Sequence, residues 1–568
     1  KILSGGATGA AGTGKGGKRK RVPEHFPHMS VRPMQAAAIE EIKKAWDNGY
    51  RFVFLEAPAG FGKSAVGITL ARQRPDAYIL VSTKTLQDQY AREGAYKTIS
   101  VMGRANFDCI LSSGDAGSGS GRTCEHGQCL VGKECKHKPR RPSEDSVPDG
   151  FVKLADANKD ELWIDKGVEV CEYWKQKCDA LNHKYPVMNY SYFLGETMYA
   201  KDFGKRSIMI CDEAHNMEDE LMRFIEFTMS DKDLKMINSR IPDGDMPVED
   251  WIEQISEWKA NLSLELKTTM EKAKMGKGDN DTLAKMKRLE EKVEKCGFVT
   301  DELSSDSENW VIDFGERLGS KNVTFRPIFV RRWTEKFFTM ADRFLLQSAT
   351  IIDAKAMAAG LDIVEESCMF IRTGMEFAPE KRPIYYAPVG KMTKDEIDSN
   401  LPKMLSEIEG LMEKYPGKKG VIHTHTYRIQ EYLLKNLKSK RVIANRSDAP
   451  FERNSIIRKF IHSKEPLVLI TPSAYEGMDF RDDMCRWQVI CKVPYPNLGN
   501  KQVRMRMELD NRWYQWKTVL RLVQTYGRGT RSKDDWCDTY LLDKSFETLA
   551  RFNRELFPEW FKEAVVSE

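Results

Sequence analysis

Apolar residues in this chain gather into short blocks separated by polar segments, in the manner of an α/β protein. Arg51-Phe52-Val53-Phe54-Leu55 is a run of strand formers, and Ser64-Ala65-Val66-Gly67-Ile68-Thr69-Leu70-Ala71 reads as the start of a helix. Ser207-Ile208-Met209-Ile210-Cys211, Phe344-Leu345-Leu346 and Leu467-Val468-Leu469-Ile470 are further apolar runs of strand character. From residue 376 onward strands and helices alternate, as in a parallel α/β sheet. A different period appears at Leu283, Met286, Leu289 and Val293. Spacings of three and four with charged residues between predict an exposed amphipathic helix or helical hairpin packed on a neighbouring helix. Residues 1–21, rich in Gly, Ala and Lys, cannot bury a core and read as a flexible basic tail.

Between the first strand and helix lies Ala57-Pro58-Ala59-Gly60-Phe61-Gly62-Lys63-Ser64. A glycine-rich turn in that position lets backbone N–H groups wrap phosphates, Lys63 reach the β- and γ-phosphates and the Ser64 hydroxyl bind Mg²⁺. Ala57 stands where the usual pattern has glycine, while Gly60 and Gly62 keep the close backbone approach. A similar string, Gly9 to Gly16, ends without a hydroxyl and follows no strand, so it is assigned to the tail. Asp212-Glu213-Ala214-His215 follows a strand: Asp212 suits Mg²⁺, Glu213 is placed to polarise an attacking water, and His215 to link the site to a second lobe. Gln524-Thr525-Tyr526-Gly527-Arg528-Gly529-Thr530-Arg531 offers two arginines at i and i+3, facing one way on a helical turn. Presented to a γ-phosphate, such an arginine is worth about 10³–10⁵ in rate. Phosphate loop, acidic strand end and distant arginines make an ATP-hydrolysing site split between lobes.

At 568 residues the chain has room for roughly three to four domains. A net charge of +5 does not itself argue for nucleic acid. No apolar run reaches membrane-spanning length and no signal-peptide core is evident, so a protein that is neither secreted nor membrane-bound is expected. Of its 12 cysteines, Cys109, Cys124, Cys129, Cys135, Cys171 and Cys178 cluster in a loop-like stretch. That pattern favours a metal site in a reducing compartment over disulfides. Zinc, an iron–sulfur cluster and unliganded thiols are all compatible with the spacing; the lack of a CxxC pair leans away from zinc.

These segments, in this order, resemble the XPD/DinG branch of superfamily 2 DNA helicases, over about Arg32 to Asp543. Gly103-Arg104-Ala105-Asn106-Phe107-Asp108-Cys109 is similar to the start of that family's iron–sulfur domain. Cys171-Glu172-Tyr173-Trp174 is similar to its end, with Glu172 where proline is usual. The resemblance implies a [4Fe-4S] cluster on four cysteines: Cys109 and Cys171, with Cys124 and Cys129 between them, Cys135 able to replace either of those two, and Cys178 spare. It implies that Gln35 reads adenine, that Ala59, Gly60, Gly62, Lys63, Ser64, Asp212, Glu476, Asp479 and Gln524 line the nucleotide site, and that Glu213, Asp212, Lys63, Arg528 and Arg531 carry catalysis. Thr83 to Gln89 would hold a strand's backbone, and Gln347-Ser348-Ala349-Thr350 would couple hydrolysis to movement. Val421 to Tyr427 departs most from the family, and a neutral strand histidine is as good a reading of His423 or His425 as a DNA contact.

The implied architecture is α/β: two RecA-like parallel-sheet motor domains with an iron–sulfur insert and a helical arch insert. Residues 1–27 form the tail; 28–102, 182–215 and 321–375 the first lobe; 103–181 the iron–sulfur domain; 216–320 the arch; and 376–568 the second lobe. The expected activity is ATP-dependent unwinding by a monomer in cytoplasm, nucleoid or nucleus, moving 5′ to 3′ on single-stranded DNA and opening forked DNA with a cluster-containing wedge, as in DNA repair. The alternatives are a translocase that remodels protein–DNA complexes and a redox-gated DNA-binding module.

Overall fold

The computed structural model describes residues 23–112, 123–127, 129, 135–141, 150–272, 280–317, 319–375, 377–444, 450–472, 480, 482–530 and 534–566. Two wholly parallel seven-stranded sheets organise the chain, the α/β pair that the apolar blocks predict. Strand order in the first is Cys368–Arg372, Phe52–Glu56, Ala341–Ser348, Arg206–Asp212, Ala77–Val81, Pro186–Asn189 and Ile99–Val101. In the second it is Val442–Ala444, Val468–Thr471, Gly420–His423, Trp487–Ile490, Asp538–Asp543, Ile384–Gly390 and Val565–Val566. Phe52–Glu56 is buried at every position: Phe52 and Phe54 face one apolar cluster, Val53 and Leu55 another. A strand covered on both faces needs a continuous apolar run, which is why the sequence shows one there.

Each of two insertions leaves the first sheet and returns to it on a neighbouring strand. The cysteine-bearing segment departs after Ile99–Val101 and rejoins at Pro186–Asn189, its parallel partner. It contains the hairpin Phe151–Asp156 with Glu161–Asp165 and the helix Glu172–Asn182. The other insertion departs after Arg206–Asp212 and returns at Ala341–Ser348, again its neighbour. Its helices Val248–Lys272 and Asn280–Asp306 pack on each other; Leu283, Met286 and Leu289 are buried and Val293 packs against the same core. This segment also carries a three-stranded antiparallel sheet, Phe227–Ser230, Ser320–Pro327 and Trp310–Arg317, which the helical period did not announce. Val323 is buried and the Phe325 ring packs edge-on against Trp251, so the strand Ser320–Pro327 is held by the helical insertion, although the first lobe was expected to resume at residue 321.

An ionic knot fastens the cysteine segment to the first lobe. Lys177 Nζ lies 2.7 Å from Glu196 and 2.6 Å from Asp202, and Arg141 pairs with the same Asp202. All three members of the central triad are buried. Burial disfavours the Lys177 ammonium, but Glu196 and Asp202 outweigh it and hold its pKa above the ordinary lysine value. Removing Lys177 strands the buried Glu196 carboxylate and leaves Asp202 to Arg141 alone, so Lys177→Met is expected to lose about 3–5 kcal/mol of stability. Chemical unfolding checks this; a loss under about 1 kcal/mol, the size of an exposed pair, would count against the knot.

Candidate active site

Three adjacent strands of the first sheet end at one cleft, where a parallel sheet takes its ligand. Phe52–Glu56 leads into the phosphate loop, Ala341–Ser348 into Ala349 and Thr350, and Arg206–Asp212 into Glu213. Register places Ser348 opposite Glu56 and Gln347 opposite Asp212, so the Ser-Ala-Thr segment lies between the phosphate loop and the acidic pair.

The loop is braced from behind. Gly62 sits at φ 85°, and a Cβ there would come 2.5 Å from the Gln35 amide nitrogen, so a side chain is excluded twice over. Gln35 Nε2 donates to the Phe61 carbonyl at 2.8 Å, and its Oε1 accepts the Arg32 backbone N–H at 3.0 Å. The Arg32 guanidinium donates to the Gly60 carbonyl at 2.7 Å. Gln35 is buried and engaged at both ends of its amide, so here it acts on the loop. Lys63 opens the helix Lys63–Arg72 and donates to the Ala57 carbonyl at 3.1 Å, leaving its ammonium over the loop.

Asp212 is buried beside Glu213. Burial and the Glu213 charge push its carboxyl above the usual range, with Lys63 and a hydrogen bond from Tyr90 pulling the other way. The Tyr90 hydroxyl donates to Asp212 Oδ2 at 2.8 Å and also meets Ser64. Ser64, Asp212 and Glu213 therefore concentrate oxygen donors and negative charge opposite one lysine, a set that suits Mg²⁺.

A hydrogen-bonded chain crosses the cleft. The Gln524 amide donates to His215 Nε2 at 2.5 Å, His215 Nδ1 donates to Ser348 Oγ at 2.6 Å, and the Ser348 hydroxyl donates to the Thr350 carbonyl at 3.2 Å. An acceptor at Nε2 and a donor at Nδ1 fix the neutral tautomer of His215. Pro58, Ala59, Glu213, His215 and Thr350 line the cleft from one side and Gln524, Arg528 and Thr530 from the other. Arg528 does not lie on a helical turn as expected: the helix Asn511–Tyr526 ends before it. Gly527 closes it, and Gly529 lies so tightly on Cys537 that a Cβ would come 2.4 Å from its sulfur. Arg528 is buried and lines the cleft; Arg531, Glu476 and Asp479 lie outside the described residues.

His423 is the buried last residue of its strand and faces Gln488 at 3.3 Å. Burial, with His425 and Arg528 nearby, lowers its pKa to about 3. His425 falls to about 4 through burial and the charges of Arg521 and Lys492. Both are held neutral, His423 buried and His425 half-buried.

Five cysteines come together in the inserted segment. A Cβ on Gly127 would stand 3.5 Å from the Cys129 sulfur and 3.6 Å from that of Cys109, beside the Cys124 carbonyl. Burial followed by the proximity of Cys171, Cys109 and Cys129 pushes the Cys124 thiol up to about 12. Burial and the nearby Cys129 and Cys109 raise Cys135; burial, Cys129 and Cys135 raise Cys171. Cys178 is raised to about 12 by burial and Asp179, with Lys177 and Asp202 closer in influence than Cys171. Arg104 points a guanidinium N–H at the Cys129 sulfur, 3.5 Å away, while lying 4.3 Å from the Tyr173 ring centre. Among the described residues no three His, Cys, Asp or Glu side chains converge as ligands of a single ion.

Two family models match parts of the chain: DEAD_2 over residues 81–234, which include Asp212 and Glu213, and the helicase C-terminal domain over 408–564, which include Gln524 and Arg528. A third, the type III restriction enzyme res subunit, matches residues 28–128. A solved XPD helicase superposes with a TM-score of 0.63 at 16% identity, covering 93% of this chain and 98% of that one. S. tokodaii Xpd4 gives 0.57 at 16% identity over 94% and 100%. The chain has an XPD-like fold and carries DEAD_2 and C-terminal helicase domains. Among curated relatives, a probable ATP-dependent helicase of Methanocaldococcus jannaschii is 28% identical over 35% of this chain and 30% of its own length. The Caenorhabditis elegans homologue of regulator of telomere elongation helicase 1 is 26% identical over 18% and 12%. The matched stretches thus span less than a third of these relatives.

Within this XPD-like frame the structure adds residues that the sequence did not single out. Tyr90 bridges Ser64 and Asp212 from the helix Lys84–Arg92. Arg382 and Trp560 line the cleft from the second lobe, Arg382 donating to the Trp560 carbonyl and lying 3.4 Å from the Tyr526 hydroxyl. None belongs to a phosphate-binding or acidic motif, and their spacing gives no signal. No described helix is long and apolar enough to cross a membrane.

Proposed function

We propose that this chain is an ATP-driven motor that moves along single-stranded DNA, 5′ to 3′, and opens forked duplex. The observation that carries the reading is the cleft in which Ala59, Glu213 and His215 of one lobe face Gln524 and Arg528 of the other. Lys63 would hold the β- and γ-phosphates, Ser64 and Asp212 the Mg²⁺, and Glu213 would polarise the water. Arg528, with Arg531 from outside the described residues, would answer the charge developing on the γ-phosphate. Gln35 would meet adenine from the loop it braces, with Glu476 and Asp479 completing the site. Closure on nucleotide and opening after hydrolysis would change the Gln524–His215–Ser348 chain and ratchet the strand.

The five thiols support a [4Fe-4S] centre held by Cys109, Cys171 and two of Cys124, Cys129 and Cys135. Two of them, Cys109 and Cys129, stand beside Gly127, where a side chain would meet both sulfurs, and no CxxC pair of the kind usual in zinc knuckles is present. Iron takes such thiols as thiolates and ties distant chain positions together. Bound there, the cluster supplies cross-linking, and the segment it stiffens would act as the wedge. The test is ATP turnover with single-stranded DNA, duplex DNA and RNA side by side, together with separation of a fork bearing a 5′ tail. Stimulation by single-stranded DNA with strand separation is expected. Equal turnover with and without nucleic acid would refute the motor; movement without separation would make the chain a translocase.

A further inference from the structure

Glu56, the last residue of the phosphate-loop strand, is 2% exposed, and its carboxylate points away from the loop. It accepts the backbone N–H of Ile351 at 2.8 Å, that of Ile352, and Nε–H of Arg372 at 2.6 Å. Arg372 also donates to the Ile352 carbonyl at 2.8 Å, so carboxylate and guanidinium grip the two peptides that flank the Ile352 Cα. Ile352 itself sits at φ 67°. A β-branched residue avoids that region, and it stays there only where its surroundings compel it.

The gripped segment is where the parts of the motor meet. Ser348 receives His215, as described above. The Ile351 carbonyl accepts the Trp516 indole N–H at 2.7 Å, and Asp353 accepts Arg512 Nε–H at 2.8 Å, both donors belonging to the second-lobe helix Asn511–Tyr526. That helix ends two residues beyond Gln524, whose amide reaches His215. Turning the Ile351–Ile352 peptide would therefore swing the Trp516 acceptor away while leaving the phosphate loop in place.

We propose that Glu56 is a positioning residue: it locks the segment after Ser-Ala-Thr in a strained conformation, so that nucleotide turnover at the phosphate loop is felt by the second lobe. This rests on the motor reading above and adds a residue outside its nucleotide-contacting set. Glu56→Gln keeps the shape but turns an acceptor into a donor facing Arg372. It is expected to bind nucleotide within about threefold of the natural chain while the ratio of strand-stimulated to unstimulated turnover drops about tenfold. Ile352→Gly added to Glu56→Gln should recover most of that ratio, because glycine holds φ 67° without being forced. Hydrogen exchange at Ile351 and Ile352 supplies a readout free of catalysis: both amides should be protected in the natural chain and exchange faster in Glu56→Gln. Thermal unfolding of each variant separates this from simple misfolding. A folded Glu56→Gln with an unchanged ratio and unchanged exchange would overturn the proposal, as would a double variant no better than the single one. Loss of stimulated turnover in the natural chain would sink the motor reading, while faster exchange in Glu56→Gln would still support the clamp.

Discussion

Lys63→Ala is expected to abolish ATP turnover through lost phosphate binding, and Glu213→Gln to abolish turnover with nucleotide still bound. The Lys63 ammonium is the positive charge set against Asp212 and Glu213, and it leads the helix that follows the loop. Without it, triphosphate would approach two carboxylates with nothing to offset the repulsion. Glu213 stands differently: it lines the cleft with an oxygen 3.4 Å from His215 Nδ1, and loop geometry does not depend on it. Each change should cost at least about 10³ in rate, or roughly 4 kcal/mol of barrier. Arg528→Ala should resemble Glu213→Gln, with affinity close to the natural chain and turnover down by about 10³–10⁵, since its work is done on the transition state. Nucleotide titration beside steady-state turnover distinguishes the roles. Normal turnover in Glu213→Gln, or lost binding with unchanged turnover in Arg528→Ala, would contradict them.

Cys171→Ser is expected to bleach a protein that is brown when purified without oxygen, and to separate two activities. The natural chain should contain iron and acid-labile sulfide; Cys109→Ser should bleach it likewise, and Cys178→Ser should leave the colour, because its thiol lies among Asp179, Lys177 and Asp202. Every group assigned to ATP chemistry lies outside the cysteine segment, which is tied to the first lobe through Lys177, Glu196 and Asp202. Colourless Cys171→Ser should thus keep DNA-stimulated turnover and fail to open a forked duplex. Both activities measured on one monodisperse preparation decide the matter. Stoichiometric zinc, equal losses of both activities, or unwinding by a colourless chain would each count against the wedge.

What the sequence could show was what depends on local pattern. Strands buried on both faces must be continuously apolar, so Phe52–Glu56 and Arg206–Asp212 announce themselves, and with them the parallel sheets. Residues whose chemistry needs a fixed neighbour in sequence, such as Gly62 beside Lys63, were visible for the same reason. Tyr90, Arg382 and Trp560 owe their places to contacts across long separations, and nothing adjacent to them records it. The sheet Phe227–Ser230, Trp310–Arg317 and Ser320–Pro327 was masked by the long charged helices between its strands. The end of the helix at Tyr526, short of Arg528, was not legible because the glycine at 529 answers to the sulfur of Cys537, eight residues on in the same connection.

The phosphate-loop strand has both of its partners far downstream: Ala341–Ser348 on one side and Cys368–Arg372 on the other. During synthesis it therefore leaves the ribosome with no strand to pair with. At about 5–20 residues per second the wait lasts tens of seconds, through the making of both insertions. For that interval Phe52, Val53, Phe54 and Leu55, all destined for the interior, form a bare sheet edge of the kind that other chains can join. A messenger cut short before residue 341 would yield a polypeptide that carries every letter of the phosphate loop and no seat for it. The living cost of splitting a sheet this way is paid at birth, in chaperone time, long before any nucleotide arrives.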